Sequence, residues 1–433
     1  MGWQAASGFA IAVEDRRCFI RRTSDGAPVA AVEPIEAALL GMAGRAAVHS
    51  QWGSRGSTAL DHLLFRLRAL IVETDRPGAC WPDVEALRGH IPGAMRPLPA
   101  PRILHWSVTE VCPRRCVYCF ANPRHGSRAS DSTLQRDRLQ TLFAEARALG
   151  TEGVLLSGSE PLLRPDLPEI IGDARRLGLE VLLTTKHPIS ANLAHRLGDA
   201  ALPSIALSVD TLDADISASL IGSSSYPEQV RSTVANLRNA GVGFSIQAVL
   251  TPQTAAHLDA LLCFASKNDA VAIQLVPFEP VTSPIAPFDQ DELHVAREVA
   301  DDIVANAQAD FPGLRVTLFD KAAEGEYSGV HCDIGATKLF FTPSGRVHRC
   351  YKLTHDHSLD GPSLTEVGIA EAWHGRAFGA TLLPSRDDYA GSACGTCGNF
   401  GSCNRSGRCI FEAKSRFGRY AAPDRPCAST MAE

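Results

Sequence analysis

Three cysteines fall within one short run, Cys112-Pro-Arg-Arg-Cys116-Val-Tyr-Cys119. Thiolates this close together can hold three irons of a four-iron cluster and leave the fourth iron without a protein ligand. An open metal position is where a reactant binds, whereas fully ligated sites hold structure or carry electrons. Taken alone, the run also suits a structural zinc. A second concentration lies beyond Gly329, where seven of the thirteen cysteines stand: Cys332, Cys350, Cys394, Cys397, Cys403, Cys409 and Cys427. Between the two groups, Leu156-Ser157-Gly158-Ser159-Glu160-Pro161 places a small, flexible turn and a carboxylate directly after an apolar run.

The spacing C-x3-C-x2-C, with Tyr118 just before the last cysteine, resembles the signature of the radical SAM enzymes. The resemblance implies a [4Fe–4S] cluster on Cys112, Cys116 and Cys119. Its open iron would chelate the amino and carboxylate groups of S-adenosylmethionine (SAM). One electron would then cleave SAM to a 5'-deoxyadenosyl radical that abstracts hydrogen from a C–H bond. Gly158, Ser159, Glu160 and Pro161 match the family's Gly-Gly-Glu-Pro-like segment, which holds the SAM amino group. Ser159 replaces the second glycine and keeps a small residue where the backbone approaches a ligand. By the same resemblance Tyr118 lies near the adenine, and Ser208 contacts the ribose or the SAM carboxylate. Asp210 faces substrate or caps the following helix. Thr184, Gln247 and Gln274 stand near strand ends, as cofactor contacts or as satisfied interior polar groups.

Cys332 and Cys350 bracket Gly345 as C-x12-G-x4-C, ahead of Cys394-x2-Cys397-x5-Cys403-x5-Cys409 and Cys427. This order resembles the SPASM extension, which carries two auxiliary iron–sulfur clusters. Five residues rather than three between Cys403 and Cys409 depart from the pattern and keep the ligand count. The resemblance assigns one cluster to Cys394, Cys397, Cys403 and Cys427, and the other to Cys332, Cys350 and Cys409. Where some relatives have a further cysteine, this chain has Lys338, so an iron stays open or takes His331 or Asp333. Zinc is the competing occupant of such a tail. Cys18, Cys80 and Cys263 read as packed thiols. Sulfatase-maturing relatives carry a catalytic aspartate directly after the second cysteine of the array. Tyr351 occupies that candidate catalytic position here and is a weak base at neutral pH. His355 and Asp356 are nearby substitutes, or members of a solvated loop.

Elements that alternate between strand and helix must position these groups. Apolar runs at 103–108, 153–157, 180–184, 204–209, 243–250 and 270–276 predict strands. Helical patterns at 134–149, 167–177, 191–198, 228–240 and 255–266 separate them. The fold class is α/β, a partial (β/α)6 TIM-like barrel (residues 102–328) with its chemistry at the C-terminal strand ends. A helix at 290–309 and a strand at 314–318 close it. In front, a hairpin at 8–22, a strand at 28–32 and helices at 34–42 and 58–72 suggest a small winged-helix-like α+β domain (1–75). A Pro/Gly-rich linker (76–101) follows. The cysteine-rich C-terminal iron–sulfur domain covers 329–433.

A net charge of −6 gives no electrostatic case for nucleic acid or an anionic membrane. No run reaches the ~18 apolar residues of a membrane span, so the chain reads as cytoplasmic. In a reducing compartment thirteen cysteines argue for metal or redox sites rather than disulfides. The order of residues 1–75 resembles the modules that bind leaders of ribosomally made precursor peptides, which can add such a leader as an extra strand. The layout therefore implies a peptide-modifying oxidase that crosslinks a precursor peptide (C–C, C–S or C–O). The auxiliary clusters would accept the second electron, and a flavodoxin or ferredoxin would supply the first. The alternatives are oxidation of a small molecule or of a protein side chain, and a non-catalytic iron–sulfur sensor that binds peptide.

Overall fold

The computed structural model describes residues 2–14, 17–24, 28–32, 40, 63–64, 67, 71–74, 100–119, 121, 123–126, 133–278, 290–319, 332, 334–374, 385–398, 400 and 408–424. Near the N-terminus, β1 (Gly2–Ala5) pairs antiparallel with β5 (Ile71–Thr74). Beside them, β2 (Phe9–Glu14), β3 (Arg17–Arg22) and β4 (Pro28–Val32) form an antiparallel sheet in the order β2-β3-β4. The expected hairpin and third strand are there. The helix expected over 58–72 ends earlier, because Ile71 and Val72 lie in β5, paired to Ala5 and Gln4. The 34–42 helix and the 76–101 linker fall almost wholly outside the described residues.

From β6 (Ile103–Ser107) the chain alternates as its periodicity predicts. Two short pieces, β7 (Val111–Cys112) and β8 (Arg124–His125), flank the cysteine loop. Then follow α1 (Arg136–Ala148), β9 (Gly153–Ser157), α2 (Leu167–Arg176), β10 (Glu180–Thr185), α3 (Ala191–Asp199) and β11 (Ser204–Ser208). Next come α4 (Ala214–Ile221), α5 (Tyr226–Asn239), β12 (Gly243–Leu250), α6 (Pro252–Ala256), α7 (Leu258–Lys267) and β13 (Ile273–Pro277). Helix α8 runs Arg297–Asp310 and leads to β14 (Val316–Leu318). The helix expected from Gln290 begins instead at Arg297, after a separate 3-10 turn over Gln290–Leu293.

Burial along β12 alternates strictly, so one face packs on helices and the other lines the concave side of the sheet. Helix α4, absent from the sequence reading, is capped by the Asp213 carboxylate, which accepts from the Asp215 and Ile216 amides. It stops at Gly222 in the left-handed conformation. Its eight residues give too little period to read from the sequence.

The sheet does not end with β6. Strand β15 (Lys338–Phe341) pairs parallel to it, and β16 (Arg346–His348) and β17 (Asp360–Ser363) continue antiparallel. The ten strands run β14-β13-β12-β11-β10-β9-β6-β15-β16-β17, parallel from β14 to β15. Trp106, Phe340 and Phe341 join Phe143 and Phe244 in one buried core, with Trp106 and Phe341 stacked at 6.2 Å. The C-terminal region adds the short helices α9 (Ile369–His374), α10 (Ala393–Thr396) and α11 (Ile410–Phe417).

Candidate functional site

The C-terminal ends of β6, β9, β10, β11 and β12 converge on the cysteine loop. Cys112 and Cys116 are buried, and Cys119 is partly exposed. The loop is clamped from below by the end of α4, where the Val117 amide donates to the Leu220 carbonyl (2.9 Å). Arg114 holds its flank, donating to Gln229 Oε1 (2.7 Å) with its guanidinium 4.5 Å from the Tyr226 ring centre. Its amide donates to the Cys112 sulfur at 3.4 Å.

Burial pushes the Cys112 thiol up to about 11 and the Cys116 thiol up to about 12, and the neighbouring sulfurs add to both. Three thiols within electrostatic reach of one another cannot ionise together without a bound cation, which is what iron supplies. Among the described residues no three His, Cys, Asp or Glu side chains converge on a single ion. A four-iron cluster does not ask for that, since each cysteine ligates a different iron. The donor set fits the cluster.

Next to the loop, Gly158 has φ +110°, and a Cβ there would lie 2.6 Å from Ser107 Oγ and 2.9 Å from the Thr109 carbonyl oxygen. Glycine is required, and the turn presses against the loop that follows β6. The Ser159 amide donates to Thr109 O at 3.0 Å. Pro161 starts a 3-10 turn. Glu160 is 1% exposed and accepts from the Leu162 amide (3.1 Å), Thr185 Oγ1 (2.5 Å) and the Lys186 amide (3.0 Å). Its carboxylate thus ties the turn to the end of β10.

Asp210 does not cap the following helix, a role taken by Asp213, and organises a buried polar cluster. It accepts from the Val249 amide (2.9 Å) and the Tyr118 hydroxyl, and pairs with Lys186 Nζ at 3.1 Å. Lys186 also donates to the Ser208 carbonyl (3.1 Å), which accepts from the Tyr226 hydroxyl as well (2.9 Å). Burial and the Asp210 carboxylate hold the Tyr118 phenol well above its ordinary range. Burial opposes the Lys186 charge, and Asp210 with the Cys116 sulfur more than restores it, leaving the ammonium raised. Ser208 and Thr184 are half-buried on neighbouring strands, and Gln247 donates to Gln274 Oε1 at 3.0 Å. These four line the concave face. The sequence reading missed Lys186; a lysine directly after the third strand was the signal available.

It also missed His105. Its Nε2 shares a hydrogen bond with Ser157 Oγ at 2.6 Å, and burial drops the imidazole to about 3, so it stays neutral. The Tyr351 ring stands 5.3 Å from His105 and 6.2 Å from Phe340. The residue after Cys350 thereby packs against the first strand of the parallel sheet.

In the C-terminal region Cys409 packs against Cys350, and the Cys332 sulfur lies within electrostatic reach of Cys350. Burial lifts the Cys350 thiol to about 12, with the sulfurs of Cys332 and Cys409 among the contributors. Gly345, at φ +84°, closes the β15–β16 turn against Leu134. Cys394 is buried beside Tyr389 and Phe400, with Cys397 one turn on; Cys403 and Cys427, with His331 and Asp333, lie outside the described residues. Asp356 is bound to its own loop: it accepts from the Ser358 amide and hydroxyl and from the Tyr420 hydroxyl.

Residues 106–265 match the radical SAM superfamily model. They form a radical SAM domain. The mycofactocin maturase MftC of Mycobacterium tuberculosis is 26% identical over 318 residues, 71% of this chain and 78% of its own. The PqqA peptide cyclase of Rhizobium meliloti is 26% identical over 338 residues, covering 74% of this chain and 85% of the relative. Among solved structures, Streptococcus suis SuiB superposes with a TM-score of 0.65 over 97% of this chain and 98% of its own, at 15% identity. That likeness shows a shared fold.

Proposed function

We propose that this chain is a radical SAM enzyme that modifies a ribosomally made precursor peptide. The observation that carries the reading is the convergence of Cys112, Cys116 and Cys119 with the Gly158–Pro161 turn at the C-terminal ends of parallel strands. The names of the relatives supply the substrate class: a maturase and a peptide cyclase. When bound to these cysteines, a [4Fe–4S] cluster with SAM supplies one-electron cleavage of a sulfonium and hydrogen abstraction from a C–H bond.

The chain's own residues do the rest. Gly158 lets the turn approach the loop closely enough to present backbone groups to a ligand's amino group. Tyr118, Asp210 and Lys186 hold the wall beside Cys116 and Cys119 in one orientation. Ser208, Thr184, Gln247 and Gln274 offer neutral donors and acceptors on the concave face, a surface suited to a zwitterionic ligand. The radical SAM part is read as a partial (β/α)6 barrel. Residues 1–75 are read as the leader-binding module and the region beyond 329 as a SPASM-like unit with two auxiliary clusters. In that reading one cluster takes Cys332, Cys350 and Cys409. The product is an oxidative crosslink, and a flavodoxin or ferredoxin donates the electron. Tyr351 packed on His105 and Phe340 speaks against an acid–base role at that position.

Among the described residues no helix is long and apolar enough to cross a membrane. The test is mass spectrometry of a precursor peptide encoded beside this chain, after anaerobic incubation with reconstituted protein, SAM and dithionite. A loss of two hydrogens, dependent on SAM, is expected. Production of 5'-deoxyadenosine with no change in any such peptide would move the substrate class elsewhere.

A further inference from the structure

Two arginines are buried in the C-terminal region, each directly before a cysteine and each donating to a sulfur from another segment. Arg408 is 3% exposed, and its Nη1 lies 3.7 Å from Cys394 Sγ. Its charge is matched by Asp424 at 3.1 Å, with the Tyr389 and Phe400 ring centres 4.9 and 5.1 Å away. Arg349 is 2% exposed, and its Nη1 lies 3.5 Å from Cys332 Sγ. Its Nε and Nη2 are buried with no hydrogen-bond partner, and among the described residues no carboxylate pairs with it.

A guanidinium stays charged in any protein environment. Burying one without a counter-charge is strongly unfavourable, so an anion belongs beside Arg349. Neutral thiols do not provide it: the Cys332 sulfur, 3.5 Å from Arg349 Nη1, is in that state only a weak, uncharged acceptor. Three ligating thiolates on an iron–sulfur cluster do provide it, and the cluster's sulfurs are acceptors for the two unmatched donors.

We propose that Arg349 is a positioning residue for the cluster held by Cys332, Cys350 and Cys409, donating N–H bonds to it and raising its reduction potential. The inference rests on the reading of those cysteines as cluster ligands. Reduction adds negative charge, and a fixed cation with N–H donors stabilises the reduced form more than the oxidised one. Arg408 is already neutralised by Asp424, so the same effect at the other cluster is smaller. A cluster made easier to reduce is the one suited to receive an electron from substrate.

The test is an anaerobic, dye-mediated redox titration followed by EPR on full-length, reconstituted protein carrying Cys116→Ser, which leaves only the auxiliary signals. Arg349→Met is expected to make one midpoint more negative by at least a tenfold change in the reduction equilibrium, ~59 mV for one electron. Arg349→Lys recovers part of the shift, and Arg408→Met moves the other midpoint less. An unchanged midpoint in Arg349→Met at wild-type iron content overturns the proposal. Wild-type protein that takes up only about four irons overturns the cluster reading itself, a separate failure read from iron analysis. Should Arg349→Met not load, pulsed EPR of the protein carrying Cys116→Ser and Arg408→Met and labelled with 15N-arginine decides. Arginine nitrogen coupling to a reduced auxiliary cluster is expected, and its absence overturns the proposal.

Discussion

Lys186 and Asp210 form a buried ion pair whose partners differ in what else holds them. Asp210 keeps the Val249 amide and the Tyr118 hydroxyl when Lys186 is removed, but it then carries an uncompensated charge. Lys186→Met should therefore destabilise the fold by ~3–5 kcal/mol, and Lys186→Met with Asp210→Asn by clearly less than the two single changes summed. Chemical denaturation of all four proteins checks this. Additive losses would mean the pair does not act as a unit. The cysteines give a second expectation. Burial raises the Cys116 thiol from 9.0 to about 12, so the folded metal-free protein binds a proton there more tightly than the unfolded chain. That stability is complete below pH 9 and declines as pH climbs from 9 toward 12. Cys116→Ser should flatten the alkaline decline of the metal-free protein by up to ~1.4 kcal/mol per pH unit. Denaturation curves at several alkaline pH values read the slope directly, and equal slopes would show that the thiol titrates normally.

At the scale of elements, the strands were readable because each is a short apolar run bounded by turn residues, as with Gly153–Ser157 and Gly243–Leu250. The cysteine loop and the Gly158 turn were readable from residue type and spacing. Lys186, His105 and Arg349 were not, because a single charged or aromatic residue inside a strand or beside a cysteine carries no periodicity. What binds it is set by chain segments far away: Asp210 for Lys186, Tyr351 for His105 and Cys332 for Arg349. The same holds for β15, whose pairing with β6 joins residues more than two hundred positions apart. That pairing makes β6 an interior strand, hydrogen-bonded on both sides. Amides of Leu104, His105 and Trp106 should then exchange with deuterium as slowly as those of β11 and β12. Exchange at the rate of an edge strand would show that β15 is not docked there in solution.

At the largest scale, one continuous sheet among the described residues joins the strands preceding the cysteine loop and the Gly158 turn to those around Cys350. His105 and Ser157 lie in that sheet, and Tyr351 reaches it from the residue after Cys350. In the function proposed above, an electron passing from a substrate on the concave face to the C-terminal sulfurs would cross these packed side chains. If three clusters sit along this path, iron should partition by cysteine. Wild-type protein is expected to hold ~12 irons, and Cys116→Ser and Cys394→Ser ~8 each. The two variants then differ in chemistry. Cys116→Ser should yield no 5'-deoxyadenosine from SAM and dithionite. Cys394→Ser should still yield it, because Cys394 packs with Tyr389 and Phe400 in a cluster separate from the main core, while product formation from the peptide falls. Iron analysis paired with 5'-deoxyadenosine measurement separates the cases. Loss of SAM cleavage in both variants would mean that the C-terminal cysteines support the radical SAM site itself rather than a path leading away from it.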